Sequence, residues 1–160
     1  MAAKSGGPRT LTNTIKLLIN AGAAKPAPPV GPALGQAGLN IMAFCKEFNA
    51  KTAGFKDGTL LRVKMRVYSD KTYEWDLRMP PSTWLIKKAA GLARASGTPG
   101  HEVVGIISLK HLYEIGRVKQ RDMPNVPLQS IITSLMHTCR SMGVRVVARP
   151  EDSQGPPPES

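Results

Sequence analysis

The clearest pattern in the chain is an alternation with a period of two. In the run LLRVKMRVY, residues 60–68, Leu61, Val63, Met65 and Val67 share one side while Arg62, Lys64 and Arg66 take the other. A Ser-Asp-Lys turn at 69–71 follows. Tyr73, Trp75, Leu77 and Met79 then alternate with Thr72, Glu74, Asp76 and Arg78. Two such runs joined by a short turn predict an antiparallel hairpin, with the Arg/Lys row able to face Glu74 and Asp76 across the strands. Earlier in the chain Leu11, Ile15, Leu17 and Ile19 share one parity against Thr12, Thr14 and Lys16, which predicts a further half-buried strand.

Elsewhere the period lengthens to that of a helix. Ile41, Phe44, Cys45 and Phe48 fall at i, i+3, i+4 and i+7, with Asn40 placed as an N-cap, so a helix is expected over 40–51. Residues 82–93 place Leu85, Ala89, Leu92 and Ala93 on one side and Lys87 and Lys88 beyond it. Ser108 caps a helix carrying Leu109, Leu112 and Ile115. The strongest repeat is Leu128, Ile131, Ile132, Leu135, Met136, Cys139 and Met142, opened by Pro127 and closed by Gly143. Val103–Ile107 and Val144–Val147 are short apolar runs, the latter a candidate final strand.

Pro and Gly punctuate these elements. Residues 26–38, PAPPVGPALGQAG, hold four prolines and three glycines, and a short helix is expected from Pro32. Pro80-Pro81 is the natural joint, because the residue before each proline is pushed out of helical space. The expected architecture is α+β, in two small domains. Residues 10–79 form an N-terminal three-stranded antiparallel sheet with helices, residues 80–82 a linker, and residues 83–148 a mostly helical C-terminal domain. A flexible basic arm at 1–9 and a disordered acidic tail at 149–160 flank them.

Charge sharpens this picture. The chain of 160 residues carries 22 Lys plus Arg against 11 Asp plus Glu, a net +11. Residues 1–80 and 81–150 each carry +7, and the last ten residues carry three acids and no base. Two equally basic modules point to a polyanion. Aromatic residues make up only 5% of the chain, which argues against base stacking as the main mode of binding. No window is apolar enough to cross a membrane.

Catalysis finds no support. Cys45 and Cys139 each lie on an apolar helical stripe and read as core thiols. His101, His111 and His137 are scattered, and with the cysteines they make no zinc pattern. No phosphate-cradling loop or dinucleotide fingerprint is present, so no metal or cofactor is implied. Gly35–Gly38 matches the GXXG loop of KH domains, which clamps nucleic-acid backbone; the alternative is a turn entering a helix. More informative are Lys87 and Lys88 beside a loop with Arg94, Ser96 and Gly97. The end of the last helix adds Thr133, Ser134, His137, Thr138, Arg140, Ser141 and Gly143. Small hydroxyl residues let a helix approach RNA closely. An ordinary solvated face is the alternative.

The segments PAPPVGPALGQAGLNIMAFCKEFNAKT (26–52), PPSTWLIKKAAG (80–91) and TCRSMG (138–143) resemble, in order and spacing, the large-subunit ribosomal protein eleven family. The likeness covers roughly residues 10–148. It implies a non-enzymatic constituent of the large ribosomal subunit, whose C-terminal domain binds the GTPase-associated region of large-subunit rRNA. Lys87, Lys88, Gly91, Ser96, Gly97, Thr138, Arg140, Ser141 and Gly143 fall in the segments matching the RNA-facing surface, with Met142 there for packing. Pro26, Pro29, Pro32, Gly35 and Gln36 match the element that faces translational GTPase factors and thiopeptide antibiotics. Implied partners are large-subunit rRNA, neighbouring ribosomal stalk proteins and translational GTPase factors, with no membrane. The sequence departs from the family's usual Gly-Thr or Gly-Ser pair, placing His137-Thr138 there. The stretches at 100–105 and 110–119 look more like mitochondrial members, which implies the mitochondrial matrix; cytoplasm or a plastid is the alternative.

Overall fold

The computed structural model describes residues 10–149. The basic arm and nearly all of the acidic tail lie outside the described residues. The chain divides into two compact units between Arg78 and Met79.

In the first unit, β1 (Leu11–Asn20), β2 (Leu60–Tyr68) and β3 (Tyr73–Arg78) form one antiparallel sheet in the order β1-β2-β3. The alternation read from the sequence is the alternation of the two faces: Leu17, Ile19, Leu61, Val63, Met65 and Val67 are buried. Leu11 is the exception. A register shift between Leu11 and Asn13 sets Leu11 opposite Tyr68, on the outward face, where it is 55% exposed. One extra residue in a strand reverses the facing of everything before it.

Helix α1 (Val30–Gln36) and α2 (Ile41–Thr52) belong to the same core, where Val30, Leu34, Phe44 and Phe48 join the sheet's inner side chains. The Asn40 side chain accepts from Ala43 N–H at 3.1 Å, as its N-cap position predicts. Helix α1 begins at Val30, two residues before the expected Pro32. Proline is tolerated there because first-turn N–H groups have no partner within the helix. The glycine motif at 35–38 closes this helix. Gly38, at φ +66°, donates to Gly35 O, and Leu39 donates to Leu34 O. This is a Schellman motif, with Leu39 packed into the core beside Leu34. Gly35–Gly38 is thus the end of α1 and the turn towards α2, not solely a turn entering a helix.

The second unit comprises α3 (Ser82–Ala89), β4 (Gly105–Ser108), α4 (Leu109–Gln120), α5 (Leu128–Ser141) and β5 (Val144–Val147). Its core gathers Ile86, Ile107, Leu112, Ile115, Ile131, Leu135, Cys139, Met142 and Val144. Helix α3 stops four residues short of the expected Ala93. Gly91, at φ +67°, takes the left-handed position, and Leu92 donates back to Lys87 O at 2.8 Å. Ala89 and Ala93 are therefore exposed, and Ile86 is the helix's buried residue. Strands β4 and β5 pair in parallel, and Val103 stays outside β4, exposed. No helix among the described residues is long and apolar enough to cross a membrane.

Candidate nucleic-acid interface

In the second unit the candidate surface is assembled from two segments distant in sequence. Gly143 brings them together. It sits at φ +71° just beyond α5, and its C=O accepts from Val104 N–H at 2.8 Å. Ser96 N–H donates to Met142 O at 3.1 Å. A Cβ on Gly143 would lie 2.5 Å from Ser96 Cβ and 2.8 Å from Glu102 O. Only glycine lets the 94–102 loop close on the end of this helix. Ser96 and Gly97 thereby join Arg140, Ser141 and Gly143 in one region.

Helix α5 divides by face, except that Met136 of the apolar repeat is exposed. Ile131, Leu135 and Cys139 are buried, while Thr133, Ser134, His137, Arg140 and Ser141 are exposed and Thr138 is half-buried. The hydroxyl of Thr138 donates to Ser134 O at 2.9 Å, and that of Ser141 donates to Thr138 O at 2.8 Å. Their protons are engaged within the helix. Each oxygen keeps the capacity to accept, suited to 2′-OH donors. Ser96 differs. Its Oγ accepts from Thr98 N–H at 3.1 Å and pairs with Glu102 Oε2 at 3.3 Å, so it shapes its own loop. Met142 is buried, in its packing role.

Helix α3 supplies Lys87, half-buried, and exposed Lys88 and Gly91. Lys88 Nζ lies 5.8 Å from the centroid of the Trp84 ring on its own helix. Leu92 packs over Gly105, where a Cβ would come within 2.8 Å of its Cδ1.

An open groove of about 510 Å³ runs beside α5, lined in part by Val103, Met136, His137, Arg140 and Arg145. Arg145, exposed on β5, is a cation that sequence reasoning missed. Its signal was faint, one charge in the apolar run VRVV. Burial raises both thiols, Cys139 to about 11, so neither offers a nucleophile at neutral pH. Among the described residues no three His, Cys, Asp or Glu side chains gather to hold a metal ion.

In the first unit, Pro26, Pro29, Pro32, Gly35 and Gln36 are all exposed, while Val30 and Leu34 on the opposite side are buried. Helix α2 holds the segment before this face. Asn49 accepts from Ala24 N–H at 3.0 Å and donates to Ala24 O at 3.2 Å, and Thr52 accepts from Gly22 N–H at 3.1 Å.

Comparison with protein families gives two matches: the ribosomal protein L11 N-terminal domain over residues 15–73, and the ribosomal protein L11 RNA-binding domain over residues 78–146. The chain belongs to the ribosomal protein L11 family. The RNA-binding match covers most of the second unit, including the loop and the end of α5 that meet at Gly143. Two L11-family relatives agree along most of the chain. The large ribosomal subunit protein uL11m of Drosophila melanogaster is 48% identical over 140 residues, covering 86% of this chain and 71% of the relative. The protein of the same name from Schizosaccharomyces pombe is 44% identical over 140 residues, covering 86% of this chain and 97% of its own.

Proposed function

We propose that this L11-family chain is a non-enzymatic constituent of the large ribosomal subunit in mitochondria. Its C-terminal unit binds the GTPase-associated region of large-subunit rRNA. Its proline-rich face, Pro26 to Gln36, helps position translational GTPase factors beside the stalk proteins. The observation that carries the reading is the RNA-binding family match over residues 78–146. Within that span the exposed surface holds basic and hydroxyl side chains and the exposed glycines Gly91 and Gly97. Lys87, Lys88, Gly91, Gly97, Thr138, Arg140 and Ser141 belong to that surface, the buried Gly143 seats its loop against α5, and Ser96 shapes the loop. Such a surface suits a folded RNA read by shape, with Arg and Lys meeting phosphate and small residues meeting the shallow groove. The names of the two relatives support the ribosomal and mitochondrial assignment.

The test is filter binding of the full-length chain to an rRNA fragment carrying that region, with Mg²⁺ and at several salt concentrations. Saturable binding that weakens as salt rises is expected. Replacing Arg140 by Gln should weaken it about tenfold, the usual size for one charge-assisted contact. Absence of binding at low salt would overturn the reading.

A further inference from the structure

The outward face of the β1-β2-β3 sheet carries a charge pattern unrelated to the surface around Gly143. It presents Lys16, Arg62, Lys64, Arg66 and Arg78 against Glu74 and Asp76. The register sets Lys16 directly opposite Lys64, and Arg62 directly opposite Arg78. Like charges facing each other across strands destabilise a sheet.

The two carboxylates offset only part of the row: the register sets Asp76 opposite Lys64 and Glu74 opposite Arg66, which leaves five cations against two acids. Glu74 accepts the Tyr68 hydroxyl at 2.9 Å, and Asp76 lies 3.3 Å from Arg78 Nε. Among the described residues no ion pair engages Lys16, Arg62 or Lys64. Along β2 the cations recur every second residue, roughly 6.8 Å apart, and Lys16 extends the row about 4.8 Å sideways. Thr14, opposite Arg66, adds an exposed hydroxyl.

This chemistry fits a phosphate backbone better than a protein. Protein interfaces deplete Lys and rest on aromatic anchors in pockets. Here the one outward aromatic, Tyr68, is bonded to Glu74. The exposed apolar side chains, Leu11 and Leu18, stand at opposite ends of β1 rather than forming a patch. We propose that the outward sheet face is a second RNA-docking surface, which grips phosphates without reading sequence. The proposal rests on the rRNA reading above and adds to it a contact made by the N-terminal unit.

The test compares the full-length chain with the triple variant Lys16→Gln, Arg62→Gln, Lys64→Gln, using naked large-subunit rRNA and a salt series. The slope of log affinity against log salt should become shallower by about 2 to 3 in the variant. Thermal stability should hold, since relief of the Lys16–Lys64 and Arg62–Arg78 oppositions offsets the loss of Lys64 opposite Asp76. Loss of affinity with stability retained is a combination that a purely structural role would not produce. A charge-preserving variant, Lys16→Arg, Arg62→Lys, Lys64→Arg, should keep the wild-type slope, and its failure to do so would count against the proposal. Superimposable slopes for wild type and triple variant, with Arg140→Gln still weakening binding, would overturn the sheet face alone and leave it solvated or facing an acidic protein. Failure of the wild-type chain to bind rRNA would remove the functional reading and this surface with it.

Discussion

Lys119 Nζ lies 2.8 Å from Asp122 Oδ2 inside the second unit, and together these residues hold the backbone just after the joint between the two units. Lys119 Nζ also donates to Pro80 O at 3.3 Å, and Asp122 Oδ1 accepts from Met79 N–H at 3.1 Å. Lys119 is only 5% exposed. The pair fastens Met79 and Pro80 to the second unit.

Removing one partner strands a buried charge. Asp122→Ala should destabilise the second unit by about 3 to 5 kcal/mol, measured by urea unfolding. The double variant Lys119→Met, Asp122→Leu should recover much of that loss, because it leaves no unpaired charge. A loss under 1 kcal/mol for the single variant would show that the pair does not hold this backbone.

The glycines at two helix ends separate conformation from close approach. Gly91→Ala meets open space at a positive φ and should cost only about 1 kcal/mol. Gly143→Ala meets Ser96 and the Glu102 backbone as well as a positive φ. It should cost clearly more, about 3 kcal/mol, by combining strain with overpacking. It should also weaken rRNA binding by opening the loop that carries Gly97. Equal losses of stability for the two would contradict this assignment.

Much of this was legible in advance, and the exceptions have identifiable causes. The β2-β3 hairpin followed from strict alternation, and α5 from four turns of repeat. Leu11 did not follow, because a bulge leaves no mark on the parity of neighbouring residues. The early end of α3 turned on Gly91, whose left-handed role competes with an apolar pattern that runs on to Ala93. The parallel β4-β5 pair joins two four-residue runs, too short to announce a partner. Burial of Lys119 depends on Pro80, 39 residues away. Among the candidate RNA contacts, exposure of Arg140 and Ser141 matched the helical period. The inward use of the Ser96 hydroxyl was set by Glu102 and Thr98, which periodicity does not connect.

Cys139 gives a pH signature. Burial pushes its thiol from 9.0 up to about 11, so the folded chain holds this proton more tightly than the unfolded chain. Its contribution is full below about pH 9 and is lost as pH rises through about 11. Unfolding free energies measured from pH 8 to pH 11 should fall more steeply for wild type than for Cys139→Ala. Parallel curves would contradict the desolvated thiol.

Gly38→Ala separates two readings of the glycine motif. It should cost about 1 kcal/mol through its positive φ. Binding to the rRNA fragment should survive, while stimulation of factor GTPase activity on reconstituted subunits should fall as the proline-rich face loosens. Abolished RNA binding in a folded variant would favour a backbone-clamping loop at 35–38 instead.

The most direct measurement is a cryo-EM density of the mitochondrial large subunit containing this chain. The expected result has the exposed side of α5, with Arg140 and Ser141, and the 94–97 loop against rRNA, and Pro26, Pro29 and Pro32 turned to the side where GTPase factors bind. A particle lacking the chain, or one in which the end of α5 meets no RNA, would contradict the account.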